Sequence, residues 1–227
     1  MTNKGITSVG AYVPRRRLLR SAIAAAHSWA KPGLKGLGKG SRAICSHDED
    51  VITMAVSAAQ ACISGHDSCS TDRLLLASTS FPFADRQNST VVGEALNLTE
   101  SLQTADIGGS QRAATSALLL GLQHDGKQCL VIGAEKCLAK PGSADEFSVG
   151  DAAAAVTIGT DDQIARFIGS QSISRDMVDH YRATQSEYNY ALEERWIRDE
   201  GLLQIIPETI AALLSDLKLS PDQIDHL

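Results

Sequence analysis

Short apolar segments alternate along this chain with segments rich in Ala, Ser and Leu. Five of the apolar segments have the length of strands: GITSVGAYVP, RLLLASTSFPF, TADIG, KQCLVIGAEK and DAAAAVTIG. Helical patterns follow several of them, and strands that take turns with helices predict a parallel or mixed sheet covered by helices on both sides. The predicted fold class is therefore α/β with mixed sheets.

Several helices are indicated by the residues at their first turn. Asp48, Glu49 and Asp50 stand at the start of a small-residue helix, where carboxylates complement the helix dipole. Asn88 and Ser89 mark the start of another helix, and Arg20–Ala30 has helical character of its own.

The remaining segments are assigned from their Gly, Pro and apolar content. Lys31–Gly40 contains glycines without the order of a phosphate-binding loop, which predicts a mobile surface loop. A strand and hairpin are predicted at 163–173, and a helix at 200–219 in which Pro207 is expected to cause a kink. Residues 220–227 predict a helix cap followed by the opening of another strand.

Composition and charge exclude some classes of function. The chain has 227 residues, of which 43% are hydrophobic, enough to bury a substantial core. Its formal charge of −6 and pI of about 5.5 argue against a general nucleic-acid or membrane-surface role. The run Arg15–Arg17 predicts a solvated loop after Pro14, with a phosphate-contacting role as the alternative.

Neither the cysteines nor any apolar run indicates a metal site, a disulfide framework or a membrane span. Cys45, Cys62, Cys69, Cys129 and Cys137 are odd in number and lack metal-ligand spacing. No apolar run approaches the ~20 residues of a membrane span, and no targeting segment is recognisable. We therefore expect no metal, no membrane association and a cytoplasmic location.

The segment TADIGGSQRAATSALLLGLQ predicts a strand that breaks at Gly108-Gly109 and enters a helix through Ser110 and Gln111. Such an elbow places side chains beside free backbone N–H groups and the positive end of a helix dipole, where many enzymes hold a nucleophile. Gln111 cannot be a nucleophile of that kind, because an amide does not ionise as a thiol does.

Seven segments follow one another in an informative order: GITSVGAYVPRRRL, the helix beginning at DED, ASTSFPFADRQNSTVVGEAL, ADIGGSQRAATSAL, LVIGAEK, DEFSVGDAAAAVTIG and LSPDQID. Together they resemble the thiolase superfamily, and within it the archaeal-type branch of 3-hydroxy-3-methylglutaryl-CoA synthase, with ketoacyl-ACP synthase III more distant. The resemblance implies a fold of two similar halves. It predicts a complete first half at 1–160 and the beginning of a second half at 161–227.

The resemblance also implies three catalytic side chains, and the sequence departs from all of them. In the family pattern an Asp precedes the nucleophilic Cys by five positions, which places Gln111 at the Cys position. The family Glu falls on Thr79, and the His motif would lie after Leu227. Ser110 is an alternative acyl acceptor, although a shift by one residue at a helix start turns the side chain by roughly 100°.

Two functions remain open at this stage. In the first, Gln111 and Ser110 satisfy N–H groups of the helix, and the chain is a catalytically impaired or partner-dependent subunit. In the second, the chain decarboxylates a malonyl-type thioester, because a Gln amide can donate a hydrogen bond to the enolate oxygen. The resemblance implies a CoA or acyl-carrier thioester as ligand and no covalently bound cofactor.

Partners are expected on two grounds. An incomplete second half predicts either a homo- or hetero-oligomer, in which another chain provides the missing strands and the His, or a fragment of a longer product. The segment Asp179–Gly201 gathers tyrosines and Trp196 among charges, as binding surfaces do. It would line a pantetheine channel or contact a small OB-fold or zinc-ribbon protein; the alternative is an amphipathic segment with its aromatic side chains turned inward.

Overall fold

The computed structural model describes residues 3–64 and 71–226. The described residues up to Phe167 form one compact unit, and those from Ile168 onward form a second. The predicted boundary between residues 160 and 161 concerns the family's two halves and stays a prediction.

The first unit is built on one mixed sheet. The strands of this unit are β1 (Gly5–Tyr12), β2 (Arg16–Leu19), β3 (Ser41–Ile44), β4 (Thr71–Ala77), β5 (Gln103–Ile107), β6 (Gln128–Glu135), β7 (Ala152–Gly159) and β8 (Ala165–Arg166). Six of them form a sheet in the order β5-β4-β6-β7-β1-β8, while β2 and β3 pair separately. β4 is parallel to β5 and β6, and β7 is antiparallel to β6 and β1.

Helices lie on both faces of this sheet and confirm the predicted fold class. The helices of this unit are α1 (Arg20–His27), α2 (Val51–Ile63), α3 (Asn88–Ala95), α4 (Ala113–Leu122) and α5 (Ala144–Ser148). α2, α3 and α4 pack on the sheet, whereas α1 and α5 pack with each other. In β4, Leu74 and Leu76 pack with α2 and α3, whereas Leu75 and Ala77 pack with α4. Successive side chains of a strand point to opposite faces, so an uninterrupted apolar strand is buried on both sides.

Helix α2 crosses the sheet in close contact with β1. A Cβ added at Gly10 would lie 2.3 Å from the Cys62 backbone nitrogen and 2.4 Å from the Ala58 carbonyl oxygen. Only glycine allows this approach. Asp50 caps the helix, since its carboxylate accepts the Thr53 N–H at 2.9 Å. This confirms the helix start predicted from the acidic residues.

The second unit is small. It contains β9 (His180–Tyr181) paired with β10 (Tyr190–Ala191), α6 (Glu194–Trp196), a π-helical turn at Ile197–Leu202 and α7 (Leu203–Leu217). Pro207 lies inside α7, which continues through it. A short 3-10 helix follows at Pro221–Gln223.

Four predictions of local structure were wrong. Pro32–Leu37 forms a 3-10 helix within the predicted mobile loop, because Pro starts a helical turn readily. Arg16 and Arg17 lie in β2 rather than in a loop, because their backbone pairs with β3. In the region 163–173 only Ala165–Arg166 is a strand, and residues 224–226 form none.

Candidate functional site

The carboxyl ends of β4, β5 and β6 lie side by side at one edge of the main sheet, because these strands are parallel. The loops after β4 and β5 begin in direct contact, since the Ser78 N–H donates to the Ile107 carbonyl oxygen at 3.1 Å. α/β sheets hold their ligands beyond the carboxyl ends of parallel strands. This edge is therefore the candidate functional site.

The turn between β5 and α4 is the elbow that the sequence predicts. Gly109 has a φ of 77°, which residues with a Cβ rarely adopt. A Cβ at Gly108 would lie 3.2 Å from the Ser78 carbonyl oxygen, so the two loops are closely packed. The Arg112 N–H donates to the Ser110 hydroxyl oxygen at 3.1 Å, which stabilises the turn.

Gln111 lies exposed in this turn, and α4 begins two positions later, at Ala113. The helix thus begins just after the predicted entry through Ser110 and Gln111. α4 buries Ala113 and Ala117 on its inner face, while Leu120 on the outer side is 44% exposed.

Thr79 lies at the same edge, half-buried, at the start of the loop after β4. Its backbone N–H donates to Glu135 Oε2 at 2.8 Å, and the Ser80 hydroxyl donates to the other carboxylate oxygen of Glu135. The Lys136 N–H donates to the Ser80 hydroxyl oxygen at 3.0 Å. A carboxylate from the end of β6 thus lies beside position 79, and the match of this position to the family's Glu stays a prediction.

Sequence reasoning missed Glu135. The sequence does contain a signal for it, because the apolar strand in IGAEK ends with two charged residues. The alternation of strands and helices predicts parallel strands, and ligands bind beyond the carboxyl ends of such strands. The pairing of Glu135 with Thr79 spans 56 positions of sequence and depends on the order of the strands.

A cleft of about 590 Å³ opens between the loop after β4 and the elbow after β5. Residues of both loops line it: Ser78, Thr79, Phe81, Phe83, Ala84, Asp85, Arg86, Gln87, Asn88, Ala105, Asp106, Gly108 and Gly109. Thr79 is thus one wall residue, and the glycines that precede Ser110 and Gln111 form part of the opposite wall. The dimensions suit a small ligand or part of a larger one.

Asp106, five positions before Gln111, holds the start of α3. Its carboxylate accepts the backbone N–H groups of Asn88 and Ser89, each at 2.7 Å, and the Asn88 side-chain amide at 2.9 Å. Burial by itself would raise the pKa of Asp106, but the hydrogen bonds from Ser89 and Asn88 outweigh burial and lower the pKa below its ordinary value. The carboxylate is therefore a structural cap.

The cysteines that the structure describes lie away from the elbow, in other elements or loops, and none is activated. Burial, followed by the charge of Asp151, raises the pKa of Cys45 to about 12. Burial raises the pKa of Cys129 to about 12 and also raises the pKa values of Cys62 and Cys137. Cys69 lies outside the described residues. A thiol with a raised pKa is a poor nucleophile at neutral pH.

The amino-terminal part of the first unit is strongly basic, which sequence reasoning noted only for Arg15–Arg17. Residues 1–47 contain nine Lys and Arg residues and no Asp or Glu, although the whole chain has a net charge of −6. The nine are Lys4, Arg15, Arg16, Arg17, Arg20, Lys31, Lys35, Lys39 and Arg42. Trp29 lies in this segment with 85% of its surface exposed.

The predicted aromatic segment belongs to the second unit. The rings of Tyr181 and Tyr190 contact each other with centroids 5.5 Å apart, and both remain more than half exposed. Trp196 is also exposed. The role of the segment Asp179–Gly201 in binding a partner or a pantetheine arm stays a prediction.

Within residues 3–64 and 71–226, no group of three or more His, Cys, Asp or Glu side chains is arranged to hold a metal ion. In the same part of the chain, no helix has both the length and the apolar character needed to cross a membrane.

Curated relatives of the chain are archaeal enzymes. The chain is 33% identical over 193 residues to the hydroxymethylglutaryl-CoA synthase of Methanocaldococcus jannaschii, and the aligned region covers 81% of this chain and 55% of that protein. The chain is 30% identical over 230 residues to the hydroxymethylglutaryl-CoA synthase of Pyrococcus horikoshii, and the aligned region covers 98% of this chain and 64% of that protein. The chain thus spans 55% and 64% of the length of these two relatives, less than two thirds of each. No model of a known protein family matches it.

Solved structures show the same fold at lower identity. An HMG-CoA synthase complexed with CoA superposes with a TM-score of 0.82 at 19% identity, covering 96% of this chain and 57% of that one. OleA of Xanthomonas campestris with bound lauric acid and lauroyl-CoA gives a TM-score of 0.82 at 16% identity, covering 99% of this chain and 76% of that one. By sequence and by fold, the chain belongs to the thiolase superfamily, as a relative of the archaeal hydroxymethylglutaryl-CoA synthases.

Proposed function

We propose that the chain binds an acyl thioester of the CoA type without taking up the acyl group at the elbow before α4. It would then act as a catalytically impaired or partner-dependent member of its family. The observation that carries this proposal is Gln111, an exposed amide in the turn where the family pattern has its nucleophilic Cys. An amide cannot form the acyl intermediate under ordinary conditions.

Other side chains, at the elbow and elsewhere in the first unit, support the same conclusion. The Ser110 hydroxyl oxygen accepts the Arg112 N–H and so stabilises the turn. The described cysteines lie elsewhere and have raised pKa values. Thr79 takes the family's Glu position, and Glu135 beside it already accepts two hydrogen bonds from the loop after β4.

Binding of a CoA-type ligand is supported by the basic segment. The exposed positive side chains of this segment attract phosphate groups; they are Arg15, Arg16, Arg17, Lys31, Lys35 and Lys39. An exposed indole such as that of Trp29 can stack on a nucleotide base. The solved HMG-CoA synthase named above binds CoA. The phosphate contacts, without the stacking on a base, would extend to the phosphopantetheine arm of an acyl carrier.

Dependence on a partner is part of the proposal. Leu120, in the last turn of α4, exposes an apolar side chain, and a second polypeptide would cover it. The His that polarises the thioester carbonyl in the family would come from that polypeptide. His124 of this chain lies beside Asp72, at the opposite end of β4 from the site.

Decarboxylation of a malonyl-type thioester is the second candidate. It is favoured by the exposure of Gln111, whose amide could donate a hydrogen bond to an enolate oxygen formed as carbon dioxide leaves. Loss of carbon dioxide release in Gln111→Ala would support this candidate.

The deciding experiment combines binding with intact mass. The purified chain, alone and with co-purifying proteins, is incubated with acetyl-, acetoacetyl- and malonyl-CoA. We expect binding by calorimetry and no covalent adduct. Gln111→Cys is the matched variant, because a thiol at the elbow should acquire an acetyl group. An acyl adduct on the unmodified chain, or no binding of any thioester, would contradict the proposal. Native mass spectrometry identifies a partner.

A further inference from the structure

The face of the main sheet that carries α4 is covered over only part of its width. Val156 of β7 lies on this face, because it pairs with Val131 and packs in the same apolar cluster as α4. Ala154 and Ala152 follow on the same face at every second position, and both are exposed. Ala153, which points to the α2 face, is only 4% exposed. The same apolar strand is thus covered on one face and open on the other.

Strand β1 continues this open area. In the antiparallel register Val9 pairs with Val156 and Ala11 pairs with Ala154, so these side chains share one face of the sheet. Val9 is 58% exposed, and Ala11 is exposed as well. We refer to Val9, Ala11, Ala152 and Ala154 as the open sheet surface. An apolar surface of this kind indicates a site of interaction.

The open sheet surface has the width of one helix. Neighbouring strands lie about 4.8 Å apart, so β7 and β1 together span about 10 Å, which is close to the diameter of a helix with its side chains. α4 fills the adjoining half of the face, where it packs with Leu75 of β4 and Val131 of β6. The small side chains of the alanines would let a second helix approach the sheet closely beside α4.

α4 itself also lacks a polar outer side. Its ten residues, Ala113–Leu122, include no charged side chain, and Leu120 is 44% exposed. A helix that is apolar all round is normally buried. A second helix on the open sheet surface would lie about 8–10 Å from the axis of α4 and would cover its exposed flank.

We propose that the open sheet surface binds an apolar helix of about the length of α4, ten residues, presented by a partner polypeptide. This inference rests on the partner dependence in the proposed function and names the surface that the partner uses. The contact is apolar on both sides, so the occupant helix carries Ala, Val or Leu rather than charged residues on its inner face.

The size of the surface argues against a second copy of this chain as the occupant. Two strands of five residues measure roughly 10 by 17 Å, and α4 adds roughly 10 by 15 Å. Two copies that met through this face alone would therefore bury only a few hundred Å² each, whereas a stable interface needs about 800 Å² per partner. A larger polypeptide that also contacts other surfaces fits better.

The relatives contain polypeptide of that size. The match with the P. horikoshii enzyme covers 98% of this chain and 64% of that protein, so more than a third of that protein lies outside the match. We therefore expect the partner to resemble this unmatched part, and the unmatched part of the P. horikoshii enzyme is the probe for the test.

The full chain is produced together with this probe and studied by native mass spectrometry. A 1:1 complex should form, and Ala154→Glu should reduce its amount at least tenfold, because a carboxylate would be buried against an apolar helix. Val9→Glu should have the same effect. Ala61→Glu is the matched control, because Ala61 is an exposed alanine on α2, which packs on the opposite face of the sheet.

A second measurement does not depend on a charged substitution. Ala154→Cys should be alkylated rapidly by iodoacetamide in the chain alone and slowly in the complex. Thermal unfolding of each variant without the probe shows that the fold is retained, as expected for substitutions at exposed positions.

Three outcomes would overturn the inference: no complex with the unmodified chain, a complex that Ala154→Glu leaves intact, or a dimer of two copies that Ala154→Glu dissociates. None of them alters the thioester experiment on the chain alone. An acyl adduct on the unmodified chain would contradict the proposed function whether or not the complex forms, so the two failures are distinguishable.

Discussion

The backbone N–H of Thr79 donates a hydrogen bond to Glu135 Oε2 at 2.8 Å, which ties the loop after β4 to the end of β6. Position 79, which the resemblance predicts to match the family's Glu, holds a Thr, and a carboxylate from a neighbouring strand accepts a hydrogen bond from its backbone N–H. Because both oxygens of that carboxylate already accept hydrogen bonds, Glu135 fixes the wall of the cleft.

Removing the Glu135 carboxylate should loosen this wall. Glu135→Ala leaves the Thr79 N–H and the Ser80 hydroxyl without their acceptor, and we expect a loss of about 1–3 kcal/mol in the free energy of unfolding. Urea denaturation measures it. Glu94→Ala on the exposed side of α3 is the control and should change stability by less than about 0.5 kcal/mol. Equal effects of the two substitutions would refute the role given to Glu135.

Asp106 should make stability depend on pH. Hydrogen bonds from Ser89 and Asn88 outweigh burial and lower the pKa of Asp106, so its contribution is complete above the ordinary value of 3.8 and disappears as the pH falls through the lowered value. Asp106→Ala should cost about 2 kcal/mol at pH 7.

The check is the difference in melting temperature between the unmodified chain and Asp106→Asn, which keeps one acceptor oxygen and cannot ionise. This difference should be constant from pH 7 to about pH 5 and shrink in stronger acid. A difference that grows on acidification would show that the sign is wrong.

Gly10 should not tolerate a side chain. Gly10→Ala would bring Cβ into the backbone of Cys62 and Ala58, and overpacking of this kind costs about 3 kcal/mol or more. Gly33→Ala is the matched control, because a Cβ there meets nothing within 4 Å. Circular dichroism during thermal unfolding compares the two variants. If Gly10→Ala melts with the unmodified protein, the contact between α2 and β1 is looser than described.

The thiols of Cys45 and Cys129 should resist alkylation. Burial, and at Cys45 also the charge of Asp151, raises both pKa values from 9.0 to about 12, which lowers the thiolate fraction at pH 8 by about a thousandfold. Iodoacetamide labelling followed by peptide mass spectrometry should show slow modification in the native protein and fast modification in urea. A Cys69→Ser background removes the cysteine outside the described residues. Rapid native labelling at Cys45 would contradict its unreactive state.

The raised values also predict a loss of stability in base. Because the unfolded chain ionises its cysteines near pH 9.0 while the folded chain retains the protons at Cys45 and Cys129, the free energy of unfolding should fall as pH rises from about 9 toward 12. Cys129→Ala should reduce this dependence in urea titrations across that range.

The sequence by itself determined the mixed α/β fold and most element positions, because strands buried on both faces and capped helices leave local patterns. Leu74–Ala77 is apolar at every position, and Asp50 marks a helix start. The sequence also placed Gln111 and Ser110 in one elbow, since Gly108-Gly109 breaks a strand before an Ala-rich helix. The elbow was predictable because it is formed by residues that are neighbours in the sequence.

Only the tertiary structure decided which residues from different strands meet. Glu135 reaches Thr79 and Asp106 caps α3, and each contact depends on strand order and loop conformation. The exposure of α4 and the pairing of β2 with β3 have the same origin. Local propensity acts over a few residues, whereas these contacts join positions far apart in the chain through burial and backbone pairing.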